Sequence, residues 1–148
     1  YVRELTAGIP PAARVGVHLC YGDLNHRHFV DPDDLALCVR MANLAVTQAR
    51  CPIAFVHMPV PRNRDDDGYF SALADLQLAG GTLYAGLVHY TDGVAGALRR
   101  AATLARHYDG PVGFATECGI GRRPPDQDLP TLLRLHRDIV SALGAPRV

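Results

Sequence analysis

The sequence predicts an α/β fold in which four βα units are laid around one parallel sheet. Three observations carry this. Short apolar runs at 14–20, 53–57, 82–89 and 112–118 hold the Val, Ile, Phe and Tyr that suit strands and are bounded by Gly, Pro and Asp clusters. Helix-spaced or polar segments separate the runs and no two-residue hairpin turn joins any pair, so successive strands need crossovers and run parallel. The residues with chemistry to offer gather at the C-terminal ends of these runs, the face on which barrels and doubly wound sheets carry their sites. A closed eight-stranded barrel typically takes about 250 residues. At 148 residues the chain predicts one unit over 1–148, either half of such a barrel or a small open sheet.

Each element follows from its residues. Tyr1-Val2-Arg3-Glu4-Leu5 reads like the tail of an earlier helix, which predicts a fragment of a larger domain, and Gly8-Ile9-Pro10-Pro11 breaks it. After the first strand, the polar loop 21–30 carries Asp23, Asn25, His26 and His28. Asp31-Pro32-Asp33-Asp34 predicts a helix start, with a capping candidate, Pro at the first position and acids in the first turn. Leu35, Cys38, Val39, Ala42, Ala45, Val46 and Ala49 then follow the spacing of a buried stripe, which makes Cys38 a core residue. Cys51 opens the second strand, at the end away from the site face, and reads as structural. A polar loop with Arg62, Arg64 and 65–67 leads to a short helix at 69–78, ended by Gly80-Gly81. The third strand ends at His89 before Thr91-Asp92-Gly93, and a helix over 92–107 buries Val94, Leu98, Ala101, Ala102 and Ala105. The fourth strand leads into the loop 119–125, and Leu132, His136, Ile139, Val140 and Leu143 stripe a last helix with His136 as a core histidine.

Composition removes several classes of function. The formal net charge is zero, without the basic excess that nucleic acid or an acidic membrane surface requires. All 15 basic residues are Arg, which leaves no lysine for Schiff-base chemistry. No run approaches the ~18 apolar residues of a membrane span, and no charged-then-apolar leader opens the chain, so a soluble cytoplasmic protein is expected. Four irregularly spaced cysteines are not a disulfide framework; metal binding, reactivity or burial accounts for them.

Residues i and i+2 of a strand share a face, so an extended 14–20 points His18 and Cys20 the same way. Imidazole and thiolate are ligands that zinc prefers, and a catalytic zinc takes about three protein ligands and keeps one open position. Cys118, at the end of the fourth strand, is the third candidate. His57 ends the second strand at the expected level of Cys20, and Glu117 has the wrong strand parity to share the face of Cys118. The alternative is that these are strand residues with satisfied hydrogen bonds and no metal. Asp23, His89 and Asp92 lie where they can orient a substrate or the groups behind the ligands. In the loop that begins at Gly119, glycine lets backbone N–H groups approach a ligand, and Arg122 or Arg123 can grip a carboxylate or phosphate; the alternative is two solvated surface arginines.

His18-Leu19-Cys20-Tyr21, followed much later by Glu117-Cys118-Gly119, resembles the zinc-binding C-terminal barrel of cobalamin-independent methionine synthase and its relatives. That superfamily also holds the zinc thiol methyltransferases of methanogens, epoxyalkane:coenzyme M transferase and, without the zinc motif, uroporphyrinogen decarboxylase. The resemblance implies the C-terminal half of a TIM barrel, with His18, Cys20 and Cys118 as zinc ligands and His57 where the relatives carry an acidic ligand. It implies activation of a small-molecule thiol for transfer from a methyl or alkyl donor, with the missing N-terminal half or a second copy completing the barrel. A metal-free decarboxylase-like enzyme and a non-catalytic metal-binding half-barrel are the alternatives.

Overall fold

A computed structural model describes residues 1–22, 29–116, 118 and 120–144, apart from the side chain of Arg122. The order of elements is α1 (Val2–Thr6), β1 (Val15–His18), α2 (Ala36–Gln48), β2 (Ile53–Pro59), α3 (Asp67–Phe70) continued by a 3-10 helix at Ser71–Asp75, β3 (Thr82–Val88), α4 (Gly93–His107), β4 (Val112–Thr116), a 3-10 turn at Ile120–Arg122, and α5 (Leu129–Ala142). The strands form one four-stranded sheet in the order β1-β2-β3-β4, and every neighbouring pair is parallel. Interleaved helices and a parallel sheet in sequence order give an α/β fold consistent with half of a TIM barrel. No helix among the described residues is long and apolar enough to cross a membrane.

The two faces of the sheet differ. Val56, Met58, Leu83, Ala85 and Leu87 join the hydrophobic core formed with the helices, and Val15, Val17, Val112 and Phe114 pack against it. On the other face the register runs level through His18, His57, Tyr84 and Gly113. Glycines make room there for aromatic rings. A Cβ on Gly16 would meet the Phe55 ring at 2.1 Å, and one on Gly113 would meet the Tyr84 ring at 2.5 Å. The two rings in turn meet edge to face, with centroids 5.4 Å apart.

Helix α2 buries Cys38, Val39, Ala42 and Ala45, as the stripe predicts. It starts at Ala36, however, and not at Asp31-Pro32. The Arg64 guanidinium takes the carbonyls of Pro32 (3.4 Å) and Asp33 (2.6 Å), which holds that stretch outside the helix, and Asp34 accepts from the N–H of Ala36 (2.8 Å). The buried row of α4 also differs from the expected one. Ala97, Arg100, Ala101, Thr103 and Leu104 are buried, while Ala102 and Ala105 face outward. α5 buries Leu132 and Ile139, and Leu143 remains exposed.

Candidate metal centre

The first and last strands build the site together. β1 ends at His18, and the N–H of Leu19 still donates to the carbonyl of His57 (2.9 Å), which carries the ladder one residue further before the chain turns at Cys20. β4 ends at Thr116, and Cys118 stands in the turn that follows. In a flat sheet the outer two of four strands are roughly 14 Å apart. Here the ligand atoms of His18, Cys20 and Cys118 all lie within 4.8 Å of one another. The ends of the outer strands therefore stand closer than in a flat sheet, as the curvature of a barrel wall requires.

His18 and Cys20 are exposed and Cys118 is half-buried, so the group opens to solvent. The Cys20 sulfur accepts from the N–H of Gly22 at 3.3 Å. One imidazole and two thiols are a donor set that suits zinc. Ligand atoms around a tetrahedral zinc stand roughly 3.3–3.8 Å apart, so the group can close on a single ion with a small contraction. It is a possible metal-binding cluster.

His57 lies beside this group rather than in it. Its register partner is His18, one step below Cys20, and both of its ring nitrogens are engaged. Nδ1 is 2.7 Å from Nδ1 of His18, and Nε2 is 3.0 Å from the carbonyl oxygen of Thr116. Burial, together with the neighbouring His18, lowers the pKa of His57 below the usual histidine value and keeps the ring neutral at pH 7.

The other expected site residues have varied placements. Asp92 and His89 lie at the expected end of the sheet, and His89 lines the cavity that reaches Cys118. Asp92 accepts two hydrogen bonds from Arg100 (2.7 and 2.9 Å), and the buried His89 donates through Nε2 to the carbonyl of Val60 (2.8 Å). Arg123 donates to the carbonyls of Gln127 and Ile120 and lines a cavity of about 940 Å³ that reaches Cys118 and Thr116. Asp23, Gly119 and Glu117 lie outside the described residues, as does the side chain of Arg122. Cys38 is buried on α2 away from the ligands, and burial raises its pKa, so it stays a thiol.

Two residues near the site escape a reading by strand ends. Arg62 lines the same cavity and donates to the Thr91 hydroxyl (2.9 Å). Arg100 is fully buried and ties α4 to the strand ends. Its signal in the sequence is a position on the same helix row as Ala97, Ala101 and Leu104. No family model and no curated protein matches the chain, so the likeness to the methionine synthase barrel rests on the residues quoted for it.

Proposed function

We propose that this chain is the zinc-carrying half of a barrel enzyme that activates a thiol for methyl or alkyl transfer, as in the methionine-synthase-like superfamily. One observation carries the reading: His18 and Cys20 from β1 and Cys118 from beyond β4 converge to within 4.8 Å. Bound zinc supplies deprotonation of a coordinating thiol at neutral pH, which makes a nucleophile of it. His18, Cys20 and Cys118 would hold the ion, and a catalytic zinc site of this kind would remain open to a substrate thiol. The cavity beside Cys118 offers room for the rest of the substrate, with Arg62 and Arg123 on its wall as cationic groups. In the transfer a carbon–sulfur bond forms, the thiol proton goes to solvent, and the donor's leaving group keeps the electron pair of the bond that breaks.

The rest of the barrel comes from a longer chain or from a second copy. Four irregularly spaced cysteines suit the reducing cytosol. The test is zinc binding by competition with a chromophoric chelator, followed by thiol alkylation in the completed barrel. The expected result is tight binding of one zinc, lost for the most part in Cys20→Ser and retained in Cys38→Ser. Full metal loading and full activity in Cys20→Ser would overturn the proposal. Metal binding without alkylation would leave a non-catalytic metal-binding half-barrel, and decarboxylation without metal would favour the uroporphyrinogen-decarboxylase-like alternative.

A further inference from the structure

We infer, building on the zinc reading above, that His57 is a positioning residue: it fixes the tautomer of His18 so that Nε2 is the nitrogen offered to the metal. The polarity of the contacts starts at Thr116. A carbonyl oxygen can only accept, so the His57 nitrogen 3.0 Å from it, Nε2, carries the proton. A neutral imidazole has one N–H, which leaves Nδ1 of His57 with its lone pair. That atom is 2.7 Å from Nδ1 of His18, and two facing lone pairs would repel at such a distance. His18 is therefore the donor, protonated on Nδ1, and its lone pair is on Nε2. Among the described residues, nothing else hydrogen-bonds the His18 ring.

Distance separates this arrangement from one in which both rings hold the same ion. Two nitrogens bound to one zinc at ~2.0–2.1 Å and a tetrahedral angle are roughly 3.3 Å apart. The observed 2.7 Å is the length of a hydrogen bond. The ring planes are within 14° of parallel and the centroids are 4.8 Å apart, so the two Nδ1 atoms lie on facing ring edges. Parallel register puts them there, because His18 and His57 are direct partners across β1 and β2.

The chain of contacts links both ends of the candidate site. Thr116 is two residues before Cys118, so the β4 backbone that carries one ligand orients His57, and His57 orients another ligand on β1. A metal-ligating histidine usually donates its second ring N–H to a carboxylate, carbonyl or water. In this chain an imidazole is the acceptor, itself anchored to a carbonyl.

Two measurements on the 148-residue chain test this. In the metal-free protein, at a pH where both rings are neutral, nitrogen-15 NMR reads the tautomers directly; the expected result is a proton on Nδ1 of His18 and on Nε2 of His57. The opposite tautomer on His18 would overturn the inference whether or not zinc binds, whereas failure to bind zinc with the expected tautomers would remove only the zinc reading. Zinc competition is the second measurement. His57→Leu should lower affinity by about 10–100-fold, with the cobalt spectrum of the substituted protein retaining one nitrogen and two thiolate ligands. His57→Gln, which keeps an acceptor and a donor, should recover most of the loss. Unchanged affinity in a folded His57→Leu, or loss of a nitrogen ligand from its cobalt spectrum while His18 remains bound, would also overturn it.

Discussion

At the scale of single residues, the strongest constraint behind the site is Arg100. Its side chain has zero exposure, and each of its five N–H donors has an acceptor: Leu87 carbonyl from Nε and from one terminal nitrogen, Arg62 carbonyl, and both oxygens of Asp92. Gly96 leaves the space that the Asp92 carboxylate fills, since a Cβ there would meet a carboxylate oxygen at 1.9 Å. Removing one partner of a buried pair strands the other charge. Asp92→Asn should therefore destabilise the fold by about 3–5 kcal/mol, measurable by urea unfolding at pH 7. The pH dependence has a definite sign. Burial alone pushes the Asp92 carboxyl up, but the Arg100 hydrogen bonds and charge outweigh it, and the folded pKa lies below the usual value. Its contribution is thus fully present above the unfolded pKa of about 3.9 and lost as pH falls through the folded one. Unfolding curves taken between about pH 5 and 2 should show this loss in the native protein, and Asp92→Asn should lack that share of it. The metal candidates were legible because His18, Cys20 and Cys118 are soft ligands at strand ends. The role of Asp92 was not. Its partner is eight residues along the chain in the neighbouring pair Arg99-Arg100, and only the place of Arg100 on the helix row of Ala97, Ala101 and Leu104 marks it as the buried one.

At the scale of elements, the alternation of strand and helix was readable because each strand is short, apolar and bounded by breakers. Element ends were less so. The start of α2 depends on Arg64, a residue about 30 positions away whose guanidinium takes the Pro32 and Asp33 carbonyls at a sequence separation of 32 and 31, and capping patterns see only local residues. The pairing of small with large residues on the open sheet face is also non-local. Gly16 lies against Phe55, and Gly113 against Tyr84. Gly16→Val should force the Phe55 ring aside and cost about 1–3 kcal/mol through overpacking. Gly8 is the control, since an added Cβ there meets nothing within 4 Å. Gly8→Ala should stay within about 0.5 kcal/mol of the parent, and equal unfolding midpoints for Gly16→Val and the parent would show that the aromatic row accommodates a side chain.

At the scale of the whole molecule, the two ends of the arc have complementary needs. Among the described residues, β1 pairs only with β2 and β4 only with β3, so each presents one open edge, a template for another strand. The helices at those ends carry apolar side chains outward: Leu37, Met41 and Leu44 on α2, and Leu129 and Leu133 on α5, at the spacing of single helix faces. A parallel barrel would place β4 beside a new β1 and α5 beside a new α2, which covers both edges and both stripes at once. Two copies related by a two-fold axis make that contact twice and close the ring. In dilute solution this chain is expected to sediment as a dimer. Leu44 is 61% exposed and Leu133 58%; because they stand at opposite ends of the arc, Leu44→Glu or Leu133→Glu alone introduces a charge into both of the equivalent contacts. Either substitution should shift the protein to monomer while leaving its helical circular dichroism intact. If the other half comes from a longer chain, adding that half in trans should replace the second copy. A parent that sediments as a monomer, with slowly exchanging amides along both β1 and β4, would mean that the edges are protected within one copy and that the barrel is not completed by association.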